Sequence, residues 1–208
     1  MSISLRPPAL AAACLAIGAA ATMGVVGASA AAQAGGSPSA SHDQWAWSLV
    51  DRSPRLVQPK RLTVDRSIGT GRARTAVRLA QRLYTFWNTG RSTYLDAAIS
   101  RDFRDNTLPT GRPQGPAGPL FASKNFRAAV PDLTCELSDL LVTGDKITAR
   151  LVFRGHFTGT LDGRRGQGQK VEFNAIDIQH VEGDRITEDW HIEDDQTLMA
   201  QVDAPRSR

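Results

Sequence analysis

Between Phe126 and Val202 the chain carries four successive runs in which apolar and polar residues alternate, and this constrains the fold more than any other feature. A period of two is the signature of a strand with one face buried. The runs are Leu133 to Val142, Ile147 to Thr160, Gln169 to Val181 and Ile186 to Ile192. Thr143-Gly144-Asp145-Lys146 and Glu182-Gly183-Asp184-Arg185 are turn sequences, so they predict two antiparallel hairpins, and Asp162 to Gly168 predicts a longer, mobile hairpin loop. Asp177, Asp189 and His191 occupy strand positions that packing alone would fill with Val or Leu. A buried ionisable group costs free energy unless it is paired or used, so such a cluster on a curved sheet points to a pocket.

Helical patterns precede the strands. Ala76, Leu79, Ala80, Leu83, Phe86 and Trp87 recur at helical spacing from about Arg72, and Gly90 suits the left-handed stop. A second helix is predicted from the N-cap Ser92 to near Phe103. A Pro/Gly loop then covers Asp105 to Pro119, and a third helix runs from Leu120 to Val130, ended by Pro131. The expected class is therefore α+β, with three helices followed by a curved antiparallel sheet and packed on one of its faces. The domain is expected over residues 72–203, with a tail at 204–208.

The N-terminus sets the expected compartment. Arg6, an Ala-rich apolar run from Ala9 to Val26, and the small-residue sites Ala28-Ser29-Ala30 and Ala32-Gln33-Ala34 predict a signal peptide over 1–34. The chain is then secreted or held in the cell envelope, and membrane contact arises only if the run stays uncleaved as an anchor. Removing the run leaves Cys135 as the only cysteine, which rules out an internal disulfide and fits a small buried residue. Residues 35–71 are expected to be a flexible basic arm. Nine basic residues stand against two acidic ones between Asp51 and Arg82, whereas 15 stand against 18 from Leu83 onward. No aromatic residues interleave with those arginines, so nucleic acid is not an expected partner. Trp45 and Trp47 either pack on the domain or meet a partner, and the sequence leaves both open.

The order of several motifs resembles one family. "FWNTG" closes the first helix at Phe86 to Gly90, "DF" stands at Asp102-Phe103, "VPDL" at Val130 to Leu133 and "GDKI" at Gly144 to Ile147. "GHFTG" follows at Gly155 to Gly159, "AIDI" at Ala175 to Ile178, "EDWHIED" at Glu188 to Asp194, then "LMAQV". Over about residues 74–202 the chain resembles the SnoaL-like polyketide cyclases, or ester cyclases, of the nuclear-transport-factor-like superfamily. The resemblance implies a cone-shaped fold around a deep pocket, a small apolar carbonyl or ester ligand, and ring closure by aldol-type acid/base chemistry. It also implies that no metal or organic cofactor is needed, and that a homodimer could form through the outer sheet face.

Carried over by position, the family's acid/base aspartate falls on the residue after the Trp of the last strand, here His191. Histidine also exchanges a proton near neutral pH. Asp177 falls where some cyclases place a pocket histidine, and Asp105 where the family often places a polar pocket residue. Strict alternation sets Asp177 opposite Trp190 and Ile176 opposite His191, which puts Asp177 and His191 on opposite faces. A bulge or strong coiling would bring them together; otherwise His191 and Asp189 face the pocket. The expected catalytic set is His191, Asp177 and Asp189, and the expected substrate-binding set is Trp87, Asp105, His156, Phe173 and Trp190. Phe103, Phe121, Phe126 and Phe153 are read as core or pocket wall. Glu193, Asp194 and Asp195 read as a solvated acidic rim, because adjacent strand-end carboxylates point apart and lack a metal-ligand set. The expected function is an exported ester-cyclase-like enzyme, with a binding or accessory domain without turnover as the alternative.

Overall fold

The computed structural model describes residues 38–205; the expected signal peptide lies outside them. Six strands form one curved, open sheet in the order β1 (Arg61–Val64), β3 (Thr134–Thr143), β4 (Lys146–Phe157), β7 (Gln169–Glu182), β8 (Arg185–Glu193) and β2 (Ile99–Asp105). A ribbon of β5 (Thr160–Leu161) and β6 (Arg164–Arg165) extends the central hairpin. The four central strands are antiparallel, as their turn sequences require. Both edges depart from the expected antiparallel sheet, since β1 lies parallel to β3 and β2 parallel to β8.

Helix α1 (Pro38–Trp47), α2 (Thr70–Thr89), the short α3 (Ser92–Asp96), α4 (Ala117–Ala129) and α5 (Asp195–Val202) complete the domain. In α2, Ala73, Ala76, Val77, Leu79, Ala80, Leu83 and Phe86 are buried, while the arginines at 72, 74 and 78 are exposed. Gly90 caps α2 at φ 72°, and its N–H donates to the Phe86 carbonyl at 2.7 Å. The neighbouring Trp87 and Asn88 are then tied down by two elements. Arg127 of α4 donates to the carbonyls of Trp87 at 2.5 Å and Leu133 at 3.1 Å, and Asn88 Oδ1 accepts from the Cys135 N–H at 2.9 Å. These bonds fix the Trp87 ring as a wall of the interior.

Two expectations are corrected. The second helix stops at Asp96, and residues 99–105 form a strand instead, because only by pairing with β8 do Ile99, Phe103 and Asp105 face inward. The flexible arm is folded from α1 onward. Ala46, Leu49 and Val64 are buried, and a buried Leu or Val contributes about 1.5–3 kcal/mol. The polar side chains of α2 hold the same segment: Gln81 Oε1 accepts from Asp51 N–H at 2.9 Å, Gln81 Nε2 donates to the Asp51 carbonyl at 2.8 Å, and Thr85 Oγ1 accepts from Val57 N–H at 2.9 Å. Trp45 lies under the Arg66 guanidinium at 5.1 Å. Helix α5, which no sequence pattern announced, closes the domain after β8 and is capped by the Asp194 carboxylate on Thr197 N–H.

Among the described residues no helix is long and apolar enough to cross a membrane.

Candidate active site

The β7–β8 hairpin begins with the pairs Glu182–Arg185 and Val181–Ile186, but the next pair is His180–Glu188. Thr187 is an extra residue with no opposite number, a β-bulge that offsets every later pair by one. Asp177 therefore faces His191, and Ile178 faces Trp190. The alternation expected from the sequence is shifted, so that Asp177, Asp189, His191 and Glu193 share the inner face while Trp190 and Ile192 point outward.

His191 is held at both ring nitrogens. Nε2 lies 3.0 Å from Asp105 Oδ2 and Nδ1 lies 3.0 Å from Glu193 Oε2. A histidine facing two carboxylates donates at both positions, which only the imidazolium can do. Its backbone N–H donates to Thr107 Oγ1 at 2.9 Å, and Thr107 in turn gives its N–H and hydroxyl to Asp105 Oδ1 at 2.9 and 3.2 Å. Gln114 braces Asp105 by accepting its N–H and donating to its carbonyl. Arg112 Nη1 sits 3.4 Å from His191 Nε2 and 3.9 Å from Asp105 Oδ2. Because Nε2 spends its proton on the nearer, buried carboxylate, Arg112 acts as a second cation sharing Asp105.

These groups form the polar end of a cavity of about 180 Å³. A cavity of roughly 150 Å³ holds a benzene ring, so the space suits a small cyclic or folded molecule. The opposite walls are apolar, with Trp87, Phe103, Phe126, Phe153, Phe173 and Leu151 prominent. Phe153 and Phe173 stack at 5.2 Å and 14°, and Trp87 meets Phe153 edge-on at 6.2 Å. Such a surface takes the flat face of a conjugated or aromatic ligand.

The apolar walls set the proton affinities. Burial opposes charge on His191, yet the bond and attraction of Glu193, aided by Asp189 and Asp105, raise it from 6.5 to about 9. Burial raises Asp177 from 3.8 to about 7, with His191 pulling back and Glu193 adding to the rise. Burial, reinforced by Asp177, holds the Asp189 carboxyl well above the ordinary carboxylate range. Burial pushes Glu193 up, but the bond and the charge of His191, aided by Arg112, together outweigh it and leave its proton affinity lowered. The polar end thus has two cations, His191 and Arg112, a carboxyl poised near neutrality at Asp177, and a second carboxyl, Asp189, pushed toward its protonated form.

The structure brings together His191, Asp177, Asp189, Trp87, Asp105 and Phe173 around this cavity. It does not place His156 or Trp190 there. His156 is exposed and bonds the Asp132 carboxylate at 2.7 Å, and Trp190 lies on the outer sheet face 5.9 Å from the Lys146 ammonium. Phe121 is also corrected from wall to surface, being 46% exposed on α4. Glu193 and Arg112 were missed as site residues, and the acidic rim dissolves into separate roles, because Glu193 serves His191 and Asp194 caps α5. The spacing of Glu193 two residues beyond His191, hence on the same face, was the available signal for the first; nothing in the Pro/Gly loop singled out Arg112.

Stability should fall with pH in two windows. The folded state keeps a proton on Asp177 that the unfolded chain has released, so this contribution is full near pH 4 and lost as pH rises through about 7. The His191 contribution is full below about 6.5 and lost as pH rises through about 9. Urea unfolding measured from pH 4 to 10 is expected to show both declines, with Asp177→Asn flattening the lower and His191→Gln the upper. Unchanged profiles in both variants would contradict these assignments.

Comparison with known proteins agrees with this architecture. The profile of the SnoaL-like polyketide cyclase family matches residues 77–202. A crystal structure from Bacillus cereus ATCC 10987, of a protein assigned by name as a polyketide cyclase, is 44% identical, with 74% of this chain and 97% of that one covered and a TM-score of 0.66. TsrD of Streptomyces laurentii is 27% identical over 63% of this chain and 96% of its own, with a TM-score of 0.57. IdmH of Streptomyces antibioticus, also assigned as a polyketide cyclase, is 27% identical over 62% and 99%, with a TM-score of 0.57. No curated protein matches the chain. With the profile spanning most of the domain and the open curved sheet shared, the chain belongs to the SnoaL-like polyketide cyclase family.

Proposed function

We propose that this chain is an exported, ester-cyclase-like enzyme that closes a ring in a small, largely apolar carbonyl or ester substrate by cofactor-free acid/base chemistry. The observation that carries the reading is the gathering of Asp177, Asp189 and the clamped His191 at one end of an aromatic cavity. A proton between two carbonyl groups is acidic enough for a carboxylate base whose pKa lies near the working pH. Asp177 meets that requirement, whereas His191, with both nitrogens committed, has no lone pair to offer.

In this scheme the Asp177 carboxylate takes a C–H proton beside a carbonyl or ester group, and the electron pair moves into an enolate. The enolate carbon forms a C–C bond to a second carbonyl carbon of the same molecule. The π pair of that carbonyl moves to its oxygen, which takes up a proton from the polar end of the site. The His191 imidazolium stays charged throughout and lowers the energy of the negative charge as it moves. The stacked phenylalanines hold the chain folded, so that the reacting carbons stay in near-attack geometry. His191 in place of the family's aspartate thus shifts the base to the carboxylate facing it across the hairpin.

The test is turnover of polyketide-like methyl esters carrying a 1,3-dicarbonyl group, followed by mass spectrometry and ¹³C NMR. Asp177→Asn is expected to lower kcat about 100-fold or more with substrate still bound, and kcat/KM of the wild type is expected to rise through about pH 7. A ligand that wild type holds unchanged would make the chain a binding protein instead. The Ala-rich run and its two A-x-A sites support action outside the cytoplasm. N-terminal sequencing of protein recovered from culture medium should read from just after Ala30 or Ala34; an intact Met1 would overturn export by cleavage.

A further inference from the structure

Asp189 differs from the other acids of the polar end. Its Oδ1 is buried and meets no hydrogen-bond partner among the described residues, although the side chain lines the cavity. The side chains that face it bond elsewhere. Gln179, facing it across β7, gives its amide N–H groups to Tyr84 Oη at 3.0 Å and Asp177 Oδ2 at 3.3 Å. Asp105, facing it across β2, spends Oδ1 on Thr107 and Oδ2 on His191. His191 gives its two N–H groups to Asp105 and Glu193, and Arg112 shares Asp105. Among the described residues no hydrogen-bond donor reaches Asp189 Oδ1.

An ionised carboxylate without countercharge or donor is costly to bury, and the cheaper state is the neutral acid, which carries one O–H donor in search of an acceptor. We propose that Asp189 presents its carboxylic O–H to a neutral oxygen acceptor of the bound ligand, a ketone, aldehyde or ester carbonyl, and thereby selects neutral carbonyl compounds over carboxylates and ammonium ions of the same shape. This deepens the reading of the cavity as a ligand site and rests on it. Burial, reinforced by Asp177, pushes the carboxyl toward its protonated form, in agreement with the geometry. A carboxylate ligand would add negative charge beside Asp177 and Glu193, and an ammonium ligand would require Asp189 to ionise.

The position also completes the proton account of ring closure. As the new alkoxide forms, the Asp189 O–H bond breaks, its proton goes to that oxygen, and Asp189 is left as a carboxylate. Asp177 has by then gained the C–H proton. Asp189 and Asp177 are diagonal neighbours on the inner face, roughly 7–8 Å apart at the backbone, so one proton passed from Asp177 to Asp189, directly or through water, restores both.

The test needs no knowledge of the substrate. Acetophenone, benzoate and benzylammonium, three one-ring probes of like shape, are titrated calorimetrically at pH 6.5 into wild type, Asp189→Asn and Asp189→Leu, with the infrared C=O band of bound acetophenone recorded in each. Acetophenone should bind wild type at least tenfold tighter than either charged probe, with its C=O band lowered. Asp189→Asn, which keeps an N–H donor, should stay within a few-fold, while Asp189→Leu should lose about tenfold and return the band to its apolar-solvent position. Tighter benzoate or benzylammonium, or an unchanged band in the leucine variant, would overturn the proposal. Failure of all three probes to bind would overturn it together with the ligand site itself. Selective acetophenone binding without turnover of any ester would leave this hydrogen bond standing and remove ring closure alone.

Discussion

A single unpaired residue, Thr187, governs the inner face of the sheet. Strand alternation is strict, so inserting one residue into β8 moves every later side chain to the other side. Without the bulge, His191 would stand opposite Ile176 and leave the pocket, and Trp190 would enter it. With it, Asp177, Asp189, His191 and Glu193 line one surface, and edge strand β2 adds Asp105 by parallel pairing with the same strand. Among the described residues the Thr187 hydroxyl is buried without a partner, a local cost that the clamp and core offset.

The chemistry follows from placing that surface against hydrocarbon. Aromatic walls favour neutral forms of acids, which raises Asp177 and Asp189, while two carboxylates in direct contact with His191 keep it charged despite the same burial. Two carboxyls and a cation are thereby given different proton affinities by their surroundings, as the proposed acid/base chemistry requires. The arrangement also explains how a histidine sits where relatives of this family are expected to carry an aspartate: the positive charge it adds is matched by Glu193 and Asp105, and the titrating carboxyl moves across the hairpin.

Much of this was legible in the chain. The four central strands and the first and third helices lie close to their expected bounds, because period-two and helical patterns report burial on one face directly. Residues 99–103 read as helix since a short segment with Ile99 and Phe103 four apart fits either period, and only the edge of β8 decides between them. The arm carried its evidence in Leu49, Leu62 and Val64, too few and too scattered to outweigh nine basic residues. The face of His191 could not be read, because a bulge has no side-chain signature of its own; the pocket residues Asp177, Asp189 and Asp105 were named, but their common orientation depends on it. Trp190 and His156 were drawn in by their neighbours in the motifs, and motif adjacency says nothing about which face a side chain takes.

The most direct test of this account is the protonation of His191, followed by two-bond ¹⁵N–¹H NMR on histidine-labelled protein from pH 6 to 10. The account predicts both ring nitrogens protonated at neutral pH, with the proton released near pH 9. A single neutral tautomer at pH 7.5, titrating near the ordinary 6.5, would mean that the clamp does not hold the charge and that the base belongs to the histidine after all.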